Sequence, residues 1–251
     1  MKTSRLVLGF CFSCLSLLSV IHPAHAQLDD DLRSDYQQAM SVYTEKKAQL
    51  DRDNQLFNRG SSISFEAVID SAKTAFAARR DAVLAYMEYL NSTAQRYISD
   101  QDAFDSLSTR LVNHYTAITE APVAFQDING WLAADQAFSS AYAEFNATAY
   151  QVFAYIYWSE LDNIIEDFIT LYQAENQSIL SHAPSQIERE RRAGVLAQIE
   201  RSLANMRSRI NQLQEQLPTI DSHEKFVALR SQLNSIYAEC QTSLQTYIAL
   251  E

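Results

Sequence analysis

Four carboxylates and one tryptophan are the residues of this chain best suited to chemistry. Glu160, Asp162, Glu166 and Asp167 follow Trp158 within ten residues. Oxygen ligands suit a hard cation such as calcium, which takes about six to eight of them. On one helix Asp162 and Glu166 share a face and the other two carboxylates share another, so a second helix would have to complete the shell. A solvated acidic face is the simpler interpretation, and we predict these five residues only as a partner-binding surface.

These residues belong to a span between Arg110 and Arg189 that contains no lysine or arginine but ten carboxylates. The aromatic run Tyr150–Trp158 within it could cage an organic cation, with the carboxylates helping. The simpler alternative is that aromatic side chains at helical spacing form the core. We also expect the acidic face to pack beside the arginine-rich helix that follows, because sequential elements are usually neighbours. The arginines of that helix are Arg189, Arg191, Arg192, Arg201, Arg207 and Arg209.

Motifs for metal or haem binding are absent from the sequence. Di-iron helical bundles need Glu-x-x-His, yet Leu111, Ile179 and Ile220 stand three residues before the three histidines that follow residue 26. His114 lies on an apolar stripe, where we expect a core-edge histidine bonded to a carbonyl or a carboxylate. We predict no catalytic residue, no cofactor and no metal ligand.

Two weaker patterns in the sequence resemble sites of chemistry. Ser222-His-Glu-Lys225 has the Ser-x-x-Lys spacing of some acyl-transfer enzymes, but its place after a proline predicts helix capping, with Asp221 and Glu224 as a capping box. A cluster of Arg79, Arg80 and His114 could bind a small anion.

The first 26 residues predict a secretory signal peptide. Lys2 and Arg5 precede an apolar run from Leu6 to Ile21, and Ala24-His25-Ala26 offers small residues for cleavage. We therefore expect an exported protein, periplasmic or extracellular, with no integral membrane segment after cleavage. Cys240 is then the one remaining cysteine, most simply a buried small hydrophobe, with an intermolecular disulfide as the alternative.

The charge balance limits the partners. The whole chain carries 20 basic and 31 acidic side chains, and loss of the signal, with its two cations, leaves a formal net charge of −13. Nucleic acids and anionic lipid surfaces repel such a chain, so we predict neither as a partner.

Apolar periodicity predicts an all-α protein, an elongated antiparallel bundle of about six long helices in a single domain over residues 27–251. We predict a hairpin over 29–98, a linker helix at 101–121, a long aromatic helix at 130–182 and a coiled-coil-like hairpin over 186–250. The individual helices are predicted at 29–58, 63–98, 101–121, 130–182, 186–217 and 222–250. The fifth carries a heptad seam, made of Leu196, Ile199, Leu203, Met206, Ile210, Leu213 and Leu217.

Three functional hypotheses follow. The first is an exported non-enzymatic scaffold or interaction protein of the cell envelope, with an unidentified protein partner and self-association as a further prediction. Few loops, where active sites usually lie, favour it. The second is a binding protein for a cationic ligand or basic peptide through the acidic aromatic helix. The third is a helical enzyme acting on a small anionic molecule.

Overall fold

The computed structural model describes residues 26–61, 63–120 and 125–250, with side chains from residue 31 onward. Within these ranges the chain is all-α, as the sequence predicted. The predicted signal peptide lies outside the described residues except for Ala26. The helices are α1 (Ala26–Asn58), α2 (Phe65–Tyr97), α3 (Gln101–Thr119), α4 (Ile128–Ser181), α5 (Gln186–Gln214) and α6 (His223–Ile248), with a 3-10 turn at Leu217–Thr219 between the last two.

Polar caps account for the points at which the helices begin. At five helices an oxygen of the preceding side chain accepts a hydrogen bond from an N–H of the first turn, which the helix itself leaves unpaired. These caps are Ser64, Asp100, Asp127, Ser185 and Ser222. The cap of α6 is thus Ser222, one residue later than the predicted box from Asp221. Asp221 instead pairs with Lys225 at 2.8 Å.

Helix α4 is the axis of the molecule. It runs for 54 residues without a break, which corresponds to about 81 Å. Helices α2 and α3 pack on its first half and α5 and α6 on its second, while α1 packs on α2. Arg110 of α3 reaches Gln151 and Ile210 of α5 meets Trp158. At a second point on each of these two helices, His114 meets Thr148 and Leu196 meets Tyr172. Both helices therefore run antiparallel to α4, whereas the contacts of α2 and α6 advance in the same direction as α4, so these two run parallel to it.

The middle of α4 is buried on all sides, as its aromatic sequence suggested. Every residue from Thr148 to Ala154 is buried, because the two groups of helices meet around this segment. Phe226 of α6 contacts the rings of Tyr150, Phe153 and Tyr157. Burial of these aromatic side chains is the main stabilising contribution here, and the two groups of helices share one continuous core.

The seam predicted on α5 is buried along its whole length, from Leu196 to Leu217. Its counterpart on α6 is buried as well, including Phe226, Leu233 and Cys240. The second half of α4 covers the same seam, so this part of the molecule is a three-helix unit. Coiled-coil pairing of α5 with α6 stays a prediction.

The α1–α2 hairpin buries a charged residue, Asp53 of α1, which is 6% exposed. Its carboxylate accepts hydrogen bonds from Gln49 at 2.8 Å and from Ser71 of α2 at 2.5 Å. These bonds hold the pKa of Asp53 below its ordinary value and offset the cost of its burial.

Candidate functional site

The predicted acidic face of α4 is partly used by the fold. Arg207 of α5 lies between Asp162 and Glu166, with its Nη1 atom 2.5 Å and 2.7 Å from their carboxylate oxygens. Burial raises the pKa of Asp162, and the charge and hydrogen bond of Arg207 oppose that rise. Two of the four carboxylates considered for a cation therefore meet a fixed cation already.

The other three predicted residues have different surroundings. Trp158 is 5% exposed, and its indole N–H donates to the carbonyl of Ile210 at 2.9 Å. A ligand could reach this ring only by opening the contact of α4 with α5. Glu160 is half-buried and Asp167 is exposed. The structure thus brings Asp162 and Glu166 together and leaves Asp167 at the surface.

The arginine-rich α5 packs on α4, as expected. Arg207 supplies the ion pairs between these two helices. Arg207 bonds to the α4 carboxylates, and Arg192 donates to the carbonyl of Ile179 at 3.1 Å. Glu188, within α5, receives hydrogen bonds from Arg191 and Arg192, which lower its pKa to about 2.

A polar cluster that the sequence did not predict lies in the middle of the molecule, and we call it the waist cluster. Arg110 of α3 donates to Gln151 of α4 and, at 2.9 Å, to the hydroxyl of Thr148. The Gln151 amide donates in turn to the carbonyl of Pro218 at 2.6 Å. One chain of bonds thereby joins α3, α4 and the turn before α6. Two polar residues inside an apolar run were the sequence signal for it.

His114 completes the waist cluster. Its Nε2 atom lies 3.0 Å from the Thr148 hydroxyl, so its partner is a hydroxyl group rather than the expected carbonyl or carboxylate. Burial, and then the charge of Arg110, lower the pKa of His114, while Glu144 acts in the opposite direction. A neutral imidazole suits a position beside a guanidinium.

The three residues of the anion-binding hypothesis do not form one site. Arg79 pairs with Asp135 at 2.7 Å and lies 4.6 Å from the centre of the Phe138 ring. Arg80 pairs with Asp81 on its own helix. His114 lies beside Thr148, 13 residues and about 20 Å further along α4 than Asp135.

The Ser-x-x-Lys match serves the start of α6. The hydroxyl of Ser222 accepts from the backbone N–H of Lys225 at 3.5 Å. The Lys225 amine points elsewhere, to Asp221 and to the carbonyl of Thr219. The Ser222 hydroxyl therefore caps α6, and the Lys225 amine bonds to the turn before the helix.

The side of the α5–α6 hairpin away from α4 carries an open groove, which we call the outer groove. Its two stretches have volumes of about 490 and 360 Å³ and meet where Arg209 pairs with Glu239 at 2.7 Å. The Ser202 hydroxyl donates to the Glu239 carboxylate at 2.7 Å, and it lies 3.2 Å from the Ser243 hydroxyl. The residues of this groove fit no metal or catalytic motif, so the sequence alone does not reveal it.

Among the described residues, no group of three or more His, Cys, Asp or Glu side chains is placed to hold a metal ion. None of the helices in those ranges is long and apolar enough to cross a membrane. Comparison with known protein families, with curated proteins and with solved structures gives no match.

Proposed function

We propose that this chain is an exported, non-enzymatic scaffold or interaction protein of the cell envelope. The observation that carries the proposal is the construction of α4. One unbroken helix belongs to both groups of helices, and its buried middle is held from all sides. Such a helix keeps the two ends of the molecule at a fixed separation, which is what a protein that positions partners requires.

The engagement of the charged residues supports a non-enzymatic role. Asp162 and Glu166 bond to Arg207, and Arg79 bonds to Asp135. Arg110 donates two hydrogen bonds to neutral oxygens of α4, those of Gln151 and Thr148. Groups that catalyse proton transfer or nucleophilic attack must reach a substrate, whereas these side chains bind helices to one another.

A strip on the second half of α4 is the surface that we assign to a partner. Ile164, Asp167 and Leu171 follow one another at helical spacing. The two apolar side chains are 41% and 39% exposed, and Asp167 is exposed between them. Two apolar side chains on either side of the exposed Asp167 carboxylate suit a partner helix that carries apolar residues and one basic residue.

Site-specific photo-crosslinking in envelope fractions tests the proposal. A crosslinker at Ile164 or Leu171 is expected to capture a discrete envelope protein, whereas one at Val42 of α1, which is 42% exposed, should capture none. Retention of the chain in the cytoplasm with its first 26 residues intact would overturn the exported location. Turnover of a small molecule that is lost in Arg110→Met or His114→Gln would overturn the non-enzymatic assignment.

A further inference from the structure

We infer that the outer groove binds a second copy of this chain, so that two α5–α6 hairpins pack face to face about a two-fold axis. The inference goes beyond the proposed function, since the partner surface on α4 lies on a different helix. It is carried by the charge arrangement, by the residue types of the groove and by the number of helices on this side of the molecule.

The charge arrangement selects a partner with the same pattern. Among the described residues that line the outer groove, only Arg209 and Glu239 are charged, and their side chains are 33% and 32% exposed. They lie where the two stretches of the groove meet. A copy related by a two-fold axis that passes through this point and runs along the groove places α5 opposite α6, and so brings its Glu239 towards Arg209 and its Arg209 towards Glu239. An acidic or a basic partner would instead leave one of the two facing a like charge.

The net charge of the chain favours the same surface. Two copies that carry formal charges of −11, or −13 without the signal, repel each other over most approaches. The outer groove holds one cation and one anion, so its charges cancel over about 22 Å of helix, from Ser231 to Thr246. It is therefore a face on which two copies can approach without adding to that repulsion.

The residue types of the groove suit close contact between helices. It is lined largely by uncharged and small polar side chains, such as Gln198, Ser202 and Gln212 of α5 and Ser235, Thr242 and Thr246 of α6. Serine and threonine are poorer helix formers than alanine, glutamate or lysine, which are usual on exposed helix faces. Small side chains let neighbouring helices approach to about 8 Å.

The packing of the two ends of the molecule points to the same occupant. The first half of α4 packs on α2 and α3, and α1 adds a fourth helix by packing on α2. Beyond Ser159, where Ser99 still contacts it, α4 packs on α5 and α6, and the residues that line the outer groove come from those two helices. Two hairpins joined across it would form a four-helix arrangement with an isologous interface.

Sedimentation equilibrium of the chain from Gln27 onward tests the inference. Thr242→Glu puts two like charges, one from each copy, into the dimer interface and is expected to weaken association at least tenfold. The control is Thr74→Glu, because Thr74 lines a different open groove, the one between α1 and α2. Both threonines are exposed and donate to the carbonyl four residues earlier, at 2.9 and 2.8 Å, so the two variants should cost the fold equally.

A charge-swap experiment locates the interface. Arg209→Glu and Glu239→Arg should each be monomeric alone and should form a mixed dimer when combined, since the groove of one is then acidic and that of the other basic. Circular dichroism checks that both variants fold. A wild-type chain that stays monomeric at about 100 µM, or a dimer weakened equally by Thr242→Glu and Thr74→Glu, would overturn the inference. Neither result bears on the crosslinks expected at Ile164 and Leu171.

Discussion

Replacement of Gln151 by leucine is expected to weaken the connection between the two ends of the molecule. The side chain is 7% exposed, and leucine fills nearly the same volume without its amide. The change removes the acceptor of Arg110 and the donor to the carbonyl of Pro218. A half-buried cation and a backbone carbonyl then each lose a partner, while the apolar packing around the site is kept.

The magnitude follows from the two bonds. A hydrogen bond from a charged donor contributes about 1.5–3 kcal/mol and a neutral one about 0.5–1.5 kcal/mol. Arg110 keeps its bond to Thr148, so we expect a loss of about 2–3 kcal/mol in the free energy of unfolding, towards the lower end of the summed range. For a chain of this size that corresponds to a fall in Tm of about 5–10 °C.

Urea denaturation followed by tryptophan fluorescence measures the effect at both ends separately. Trp131 lies near the start of α4 and Trp158 in its contact with α5, so Trp158→Phe and Trp131→Phe backgrounds each report on one half. Because Trp158→Phe itself removes the bond to Ile210, each background is compared with the same background carrying Gln151→Leu. We expect the substitution to shift the midpoints of the two backgrounds by different amounts, since it weakens the connection between the halves.

The control for this experiment is the same substitution on an exposed face of the same helix. Gln173 is exposed, so Gln173→Leu should change stability by no more than about 0.5 kcal/mol. The reasoning is refuted if Gln151→Leu is as stable as Gln173→Leu. A double substitution with Arg110→Met tests the pairing itself, since the two losses should then be less than additive.

Three further predictions concern single titratable or reactive groups. Arg207→Met should cost about 1 kcal/mol at pH 7. Burial raises the folded-state pKa of Asp162, so without Arg207 the ionised carboxylate is penalised at neutral pH. The difference in stability between the variant and the wild type should therefore fade as the pH falls and Asp162 is protonated. Denaturation from pH 7 to 3 measures this difference, and a difference that stays constant would contradict the prediction. Glu188→Gln should lower Tm at neutral pH. The folded-state pKa of Glu188 is held at about 2, below its ordinary 4.5, chiefly by hydrogen bonds from the neighbouring Arg191. Its contribution is therefore lost as the pH falls through about 2, and the gap between the two melting curves should close there. Cys240 is 2% exposed and burial raises its pKa, so a thiol reagent should react only after unfolding, and rapid reaction of the folded chain would argue against this core.

The helices were predictable because their signals are local. Glycine and proline stand almost entirely at breaks in apolar periodicity, and the seam of α5 steps by three and four residues. The pairing of Arg207 with the α4 carboxylates was predictable in kind, from the order of the helices. The waist cluster was not, because Arg110 and Gln151 are 41 residues apart. Their meeting depends on how α3 and the turn before α6 pack against α4.

The sharing of α4 by both groups of helices has a consequence for folding during synthesis. The first group can close only when the chain has been made to about Ser159, whose hydroxyl lies 3.4 Å from the backbone nitrogen of Ser99. At that moment the second half of α4 begins to emerge with Phe168 and Tyr172, which are buried in the finished protein, still uncovered. Tyr172 first meets α5, where its hydroxyl donates to the carbonyl of Leu196. The cover is complete only when α6 brings Tyr247 against both rings, about 75 residues later and therefore roughly 4–15 s at ordinary rates of translation. This interval is when a nascent chain of this design is most exposed to aggregation, and when a chaperone would have an apolar surface to hold.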